Sequence, residues 1–422
     1  MKIGLIGSNI NGNFTKMICG KFGLDNYDMF SMNKSGFEVF MSQRDFEKIN
    51  ITFPYKKDVM KYLDVIDPKA KEIGAVDTII KKDGKLYGYN TDYEAFLYMI
   101  NRHDIDFKGK KILILGNGGT SAAIQLIAKE LEAREINVVD VKESTGAISY
   151  IDVFASHLDS EIVINASPVG MAPDIDNAPI SMSLFLNCEA VIDVIYNPIL
   201  TKLGFEAQEL GIKRIIGMEM LVAQCKAAVE LFTEQKFEKD FVDKIIHDTL
   251  IEQCNVVLIG MPSAGKTTIG KMLETRLGKP FIDLDDVVVE KAQMRIPEIF
   301  AKSGEAGFRK IESLTACELS KLNNKVIGTG GGTIKNKINM DNLRLNGITI
   351  FIDRDVDKLI SSDPNRPLSS SREALKNLHD ERLPLYQKYA AAVVLNNDDI
   401  NDTVDQIVKQ FHAIASQAVS YE

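Results

Sequence analysis

The chain has 422 residues, 45% of them hydrophobic and 26% charged, with a formal net charge of −9. That length exceeds one ordinary core and predicts two or three domains. The acidic balance argues against a nucleic-acid partner, which selects for a basic stripe. Five scattered cysteines (Cys19, Cys188, Cys225, Cys254, Cys317) form no CxxC pair, which suits free thiols in a reducing compartment rather than disulfides or zinc. No apolar run approaches the roughly 18 residues of a membrane span. The opening MKIGLIGSNI reads as a first strand rather than a leader. A cytoplasmic α/β protein with no membrane partner is expected.

Three strand-and-helix blocks follow in chain order. The first, residues 1–105, opens on the strand KIGLIG and continues through KINITFPYKK to AVDTIIKKDGKLYGYN, where Asp83-Gly84 predicts a hairpin turn. The second, residues 106–217, alternates the strands KKILIL, INVVDV, IVINAS and AVIDVIY with helical stretches, which predicts a parallel sheet covered on both faces. A mostly helical passage over 218–250 closes the first block and leads to a short connection near 248–254. The third block, residues 254–422, begins NVVLIGMP and alternates in the same way. No low-complexity linker and no internal repeat separates them.

Two glycine turns carry the chemistry. In KILILGNGGTSAA an apolar strand runs into Gly116, Asn117, Gly118, Gly119, Thr120 and Ser121 and then a helix. Gly116 permits a tight turn, and Gly118 lets backbone approach a pyrophosphate at a helix N-terminus. Ser121, in place of a third glycine, is still small. A turn kept only for packing gives the same pattern. Asp140, about 20 residues further on at the end of INVVDV, adds a ribose-binding acid and favours the Rossmann-like dinucleotide reading. The second turn, GMPSAGKTTIG, has P-loop spacing. The backbone of Gly260, Ser263, Ala264, Gly265 and Thr268 would wrap ATP phosphates, Lys266 would reach the β/γ oxygens, and Thr267 would hold Mg2+.

The blocks NITFPYKK, IGAVDTI, GYNTDYEAF, NASPVGM, DVIYNPILTKL and GMEMLVAQ together resemble the shikimate dehydrogenase family over residues 1–250. A lone lysine is by default a solvated side chain. The resemblance instead implies that Lys56 and Asp92 form a catalytic pair, an ammonium supplying the proton to a developing alkoxide and a carboxylate holding it. It also implies substrate contacts from Thr15, Asn50, Thr52, Asn90, Tyr196 and Gln224. Asn13 and Asp77 fall at two further substrate-contact positions and depart from the family pattern there, the second placing an acid where an asparagine is usual. An arginine is common after the second strand of NADP-using members, where this chain has Asp140-Val141-Lys142. A carboxylate there repels a 2′-phosphate, so NAD(H) is expected over NADP(H).

FIDLDD, FRKIE, GTGGGT, NRPL and RLPLYQKYA, in that order after the P-loop, resemble the shikimate kinase family over residues 255–415. The resemblance implies that Asp283 helps hold magnesium and Asp285 draws the proton from the acceptor hydroxyl. Arg309 and Arg382 would pair with the substrate carboxylate, Gly330, Gly331 and Gly332 would let backbone approach the acid, and Arg366 would close over the transferred phosphoryl group. Taken singly, these arginines and acids read as surface charges.

The leading expectation is a fused enzyme that reduces 3-dehydroshikimate to shikimate and phosphorylates shikimate with Mg-ATP. A quinate/shikimate dehydrogenase fused to the kinase is the alternative suggested by Asn13, Asp77 and Asp140. A metabolite-sensing regulator would have lost Lys56, Asp92, Lys266 and Asp283, and all four are present.

Overall fold

The computed structural model describes residues 2–8, 10, 14–141, 146–359 and 371–417. Asn13, Lys142 and Arg366, together with NRPL, lie outside the described residues. The chain forms two compact units, one running to Thr249 and the other from Leu250 onward, with Pro198–Leu200 belonging to the second.

The first unit contains two sheets. β1 (Ile3–Gly7), α1 (Phe14–Lys21), β2 (Asp28–Ser31), α2 (Lys34–Gln43), β3 (Lys48–Ile51), β4 (Val65–Ile66), α3 (Pro68–Ile73), β5 (Thr78–Lys82), β6 (Lys85–Tyr89) and α4 (Thr91–Arg102) build a sheet of order β2-β1-β3-β5-β6-β4. It is mixed, because β5 runs antiparallel to both β3 and β6. The hairpin between β5 and β6 turns at Asp83 and Gly84, both at positive φ (52° and 76°), as an Asp-Gly turn allows. KINITFPYKK contributes only Lys48–Ile51 as strand, and Pro54 offers no ladder donor beyond it.

The second sheet comprises β7 (Lys111–Leu115), α5 (Gly119–Glu130), β8 (Glu135–Val139), α6 (Tyr150–Ser156), β9 (Ile162–Asn165), β10 (Ala190–Asp193), α7 (Lys202–Glu209) and β11 (Lys213–Ile215), all strands parallel in the order β11-β10-β9-β7-β8. In β7, Ile112 and Ile114 enter the cluster with Phe96, Ile124 and Met220, while Leu113 and Leu115 enter that of Val153, Met182 and Leu203. Both faces of the strand are therefore covered, which is why KILIL is apolar throughout rather than alternating. Burying each such side chain stabilises by about 1.5–3 kcal/mol relative to exposure. The strand order reverses at β7, opening a crevice at its carboxyl end where ligands of this architecture bind. Two helices, α8 (Gly217–Thr233) and α9 (Lys239–Gln253), follow, separated where Glu234 adopts positive φ (60°).

In the second unit, β12 (Asn255–Ile259), α10 (Lys266–Leu277), β13 (Phe281–Asp283), α11 (Leu284–Ala292), α12 (Ile296–Leu319), β14 (Val326–Gly328), α13 (Lys337–Leu345), β15 (Gly347–Asp353), α14 (Arg372–Tyr389), β16 (Ala392–Leu395) and α15 (Ile400–Gln417) form a parallel sheet of order β13-β14-β12-β15-β16. The first strand is central, so the loop after it opens at the reversal point. Gly304, at φ 67°, kinks α12 in mid-course. Among the described residues, no helix is long and apolar enough to cross a membrane.

Candidate active sites

In the first unit, Lys56 lies beyond β3 and Asp92 in the first turn of α4. Lys56 Nζ donates to Asp92 Oδ2 at 2.5 Å. The same oxygen accepts from Thr120 Oγ1 at 2.9 Å, and Asp92 Oδ1 accepts from Gln224 Nε2 at 2.8 Å. One carboxylate thus gathers the lysine, the glycine turn and α8. Burial would lower the Lys56 pKa, but the carboxylates of Asp92 and Asp77 outweigh it and the net shift is upward.

The glycine turn lies beside this pair. A Cβ on Gly119 would meet Lys56 Cβ at 3.1 Å and Cδ at 3.2 Å, so the start of α5 packs on the lysine stem. Gly116 has φ 104° and would collide with Ala166 O at 2.9 Å, whereas Gly118 faces open space. Ser121 is fully buried and accepts from Gln125 Nε2. Gly116 N donates to Val139 O, so Asp140 follows directly beside the turn, with Val141 exposed. Thr15 O accepts from Cys225 Sγ at 3.9 Å, and Tyr196 stacks at a tilt on Phe14, with ring centroids 5.5 Å apart. Thr52, half-buried, packs its methyl against Gly7, where a Cβ would lie 2.4 Å away.

Three of the expected substrate contacts use their polar atoms within the protein. Asn50 accepts from Tyr27 Oη at 2.7 Å and donates to Thr78 Oγ1 at 2.8 Å. Asn90 is the N-cap of α4, accepting from Tyr93 N, and donates to Ala75 O. Asp77 is 1% exposed and accepts from Thr78 Oγ1, Thr91 N, Thr91 Oγ1 and Asp92 N. It caps the start of α4, and burial followed by repulsion from Asp92 raises its pKa.

Asn165, Asp193 and Thr201, in the motifs NASPVGM and DVIYNPILTKL, are not among the residues expected at the site. They form a buried network: Asp193 accepts from Thr201 Oγ1 at 2.6 Å, Ile195 N at 2.9 Å and Asn165 Nδ2 at 3.2 Å. It ties the ends of β9 and β10 beside the glycine turn. Polar residues at the ends of apolar strands were the available signal. Glu219 of GMEM is likewise not among the expected residues. It is fully buried and pairs with His103 and Arg102, locking α8 to α4.

In the second unit, a cavity of about 360 Å³ is lined by Ser263, Lys266, Thr267, Asp283, Asp285, Arg309, Gly330, Arg354 and Arg382, among others. The P-loop runs from Gly260 to α10. Ser263 (φ 64°) and Gly265 (φ 98°) take left-handed backbone, and Asn396 Nδ2 pins the loop through Ala264 O at 2.8 Å. Lys266 Nζ donates to Gly260 O and Met261 O. Thr267 Oγ1 donates to Asp283 Oδ2 at 2.8 Å, which places the two expected magnesium contacts together. Arg309 is flanked by Glu305 and Glu312, the latter buried and also accepting from Thr333 Oγ1. Arg382 Nη1 donates to Gly331 O at 2.9 Å, while its Nε is buried without a hydrogen-bond partner among the described residues.

The three glycines make room first for the protein's own side chains. A Cβ would meet Asp285 Oδ1 at 2.7 Å from Gly330, Pro262 Cδ at 2.8 Å from Gly331 and Arg309 Nη2 at 2.2 Å from Gly332. Arg354 and Tyr386, which donates to Gly331 O, were not singled out from the sequence.

A family model described as shikimate dehydrogenase substrate binding domain matches residues 16–79, and one described as shikimate kinase matches residues 262–412. A curated shikimate dehydrogenase (NADP(+)) of Clostridium beijerinckii is 34% identical over 251 residues, 55% of this chain and 91% of that protein. A curated shikimate kinase of Clostridium botulinum is 43% identical over 157 residues, 36% of this chain and 94% of that protein. The solved structure of shikimate dehydrogenase 1 from Peptoclostridium difficile aligns with a TM-score of 0.54 at 33% identity, over 59% of this chain and 97% of that one. Fold and sites together define an oxidoreductase joined to a phosphotransferase, using a nicotinamide cofactor in one unit and ATP with magnesium in the other. The chain belongs to the shikimate dehydrogenase family through its first unit and to the shikimate kinase family through its second. It is a bifunctional enzyme of the shikimate pathway.

Proposed function

We propose that the first unit reduces 3-dehydroshikimate to shikimate and the second converts shikimate to shikimate 3-phosphate. The observation that supports the first step best is the Lys56–Asp92 pair, clamped by Thr120 and Gln224 with the glycine turn packed on the lysine. Lys56, whose proton is held more tightly than usual, donates it to the alkoxide oxygen, and Asp92 keeps the ammonium aimed. When bound, the nicotinamide supplies hydride. Gly118, with open space around it at the N-terminus of α5, fits a pyrophosphate. Tyr196, Thr15 and Thr52 line the substrate side.

In the second unit, ATP supplies the phosphoryl group. Lys266 and the P-loop backbone bind its phosphates, and Thr267 with Asp283 hold Mg2+. Asp285 takes the proton of the acceptor hydroxyl, and Arg309 and Arg382 bind the carboxylate. The partly unsatisfied Arg382 fits an anionic ligand. The division that goes with this is a substrate part at 1–105 with the closing helices near 218–250, a nicotinamide part at 106–217 and a phosphotransferase part at 254–422.

Asp140, beside Gly116 where the adenosine ribose would lie, supports NAD(H) over NADP(H). The curated relative named above carries NADP(+) in its name, so cofactor choice is the sharper test. One coupled assay decides both points: 3-dehydroshikimate with NADH or NADPH, with and without Mg-ATP, following nicotinamide oxidation and shikimate 3-phosphate. A kcat/KM higher with NADPH overturns the NAD(H) reading. Absence of shikimate 3-phosphate overturns the sequence of two steps. Asp77 is enclosed among hydrogen-bond donors, which favours shikimate over quinate; a higher kcat/KM for quinate oxidation would reverse that choice.

A further inference from the structure

The phosphotransferase cavity contains an arginine that no recognised motif includes. Arg354 follows β15 directly and lines the cavity with Pro262, Ser263 and Lys266. Its Nε is buried without a hydrogen-bond partner, and no carboxylate lies within ion-pair distance of it among the described residues. The neighbouring cations have partners within the protein. Arg309 is flanked by two glutamates, Arg382 shares the unpaired Nε but donates from Nη1 to Gly331 O, and Lys266 donates to loop carbonyls. A planar guanidinium at a cavity wall, its Nε buried and unpaired, suits an anion rather than a surface role.

The sheet places this arginine along the loop. Phe351 of β15 pairs with Ile259 of β12, and a Cβ on Gly260 would lie 2.6 Å from Ile352 O, so the chain after β15 passes beside the start of the P-loop. The loop's other end is the N-terminus of α10, which suits the inner phosphates. Pro262 also abuts Gly331, whose carbonyl Arg382 and Tyr386 hold. The Pro262 end therefore faces the acid-binding side, and the terminal phosphate must lie there to be transferred.

We propose that Arg354 contacts the terminal phosphoryl group of ATP and neutralises charge on it during transfer to the acceptor hydroxyl. This rests on the kinase reading of the cavity. The phosphorus–oxygen bond to ADP breaks, the bond to the acceptor oxygen forms, and the hydroxyl proton leaves to the base. Arg354 gives and takes no proton.

The test is Arg354→Gln and Arg354→Lys in the full chain. Expected for Arg354→Gln is a kinase kcat lower by about a hundredfold or more. Affinity for a non-hydrolysable ATP analogue should weaken by about tenfold, with ADP affinity and shikimate KM changed by less than about twofold. Arg354→Lys should recover part of the analogue affinity, and melting without nucleotide should match the wild type. Equal weakening of ADP and analogue overturns the proposal in favour of the inner phosphates. A raised shikimate KM with normal nucleotide binding moves Arg354 to the acid, and unchanged kinetics remove it from the site. A lowered melting temperature with uniform losses makes the role structural and equally overturns the proposal. A wild-type chain without kinase activity would instead overturn the kinase reading, separately from Arg354.

Discussion

Asp77 Oδ2 stands 3.8 Å from Lys56 Nζ, so two carboxylates, Asp77 and Asp92, face one ammonium. Both raise the lysine's pKa against the opposing effect of burial. Removing one of them should lower it. For Asp77→Asn, the alkaline limb of the kcat–pH profile for reduction should move to lower pH, because on the reading of Lys56 as proton donor the lysine must be protonated to donate. The profile of NAD(P)H oxidation against pH measures this, and an unmoved limb would leave Asp77 as a helix cap alone. Asp77→Ala removes the acceptor for two backbone N–H groups at the start of α4, and should cost about 2–3 kcal/mol in denaturant unfolding.

The residue types and order of this site were legible in the sequence, but the directions of its side chains were not. Lys56, Asp92 and Gln224 sit in recognisable blocks and converge in space. Asn50, Asp77 and Asn90 sit in equally recognisable blocks and turn inward, because hydrogen bonds to Tyr27, Thr91 and Ala75 compete for their polar atoms. The GTGGG run points in sequence to a ligand, whereas its nearest neighbours are Pro262, Asp285 and Arg309. Arg354, in the charged stretch DRDVDK, is indistinguishable by sequence from a surface arginine. The short strands β4 and β11 fall below the length at which alternation can be seen.

Burial pushes the Asp193 carboxyl up to about 6, against the opposing hydrogen bonds of Thr201, Ile195 N and Asn165. Its folded pKa exceeds the unfolded value of about 3.9, so between these values the native state binds more protons. This group's contribution to stability is fully present below the unfolded pKa and is lost as pH rises through about 6. The change amounts to about 3 kcal/mol. Asp193→Asn should therefore be more destabilising near pH 4 than near pH 7, as read from unfolding midpoints at the two values. A penalty independent of pH would contradict the raised pKa.

The two activities should separate by substitution and by metal. Lys56→Ala should abolish nicotinamide oxidation and spare phosphorylation of added shikimate, and Lys266→Ala should do the reverse. Chelating magnesium should stop only the kinase, whose expected metal contacts, Thr267 and Asp283, are hydrogen-bonded to each other. Asp283→Asn should raise the magnesium concentration for half-maximal rate by about tenfold or more. Either lysine substitution disabling both activities in a folded chain would refute independent sites.

Gly332 offers a way to disturb the acid end without unfolding the unit. The Cβ of Gly332→Ala would fall 2.2 Å from Arg309 Nη2, the far end of a flexible side chain, and the glycine's backbone is not in the left-handed region. The arginine can shift at little cost to the fold by keeping its pair with Glu312, but it loses its aim into the cavity. Shikimate KM should rise by about tenfold or more while ATP KM and the melting temperature stay near wild type. Gly116→Ala is the contrasting case. At φ 104°, with Ala166 backbone 2.9 Å away, neither partner can yield cheaply. That variant should lose stability by about 1–3 kcal/mol together with nicotinamide binding. Gly332→Ala melting as low as Gly116→Ala would show that Arg309 is held as rigidly as backbone.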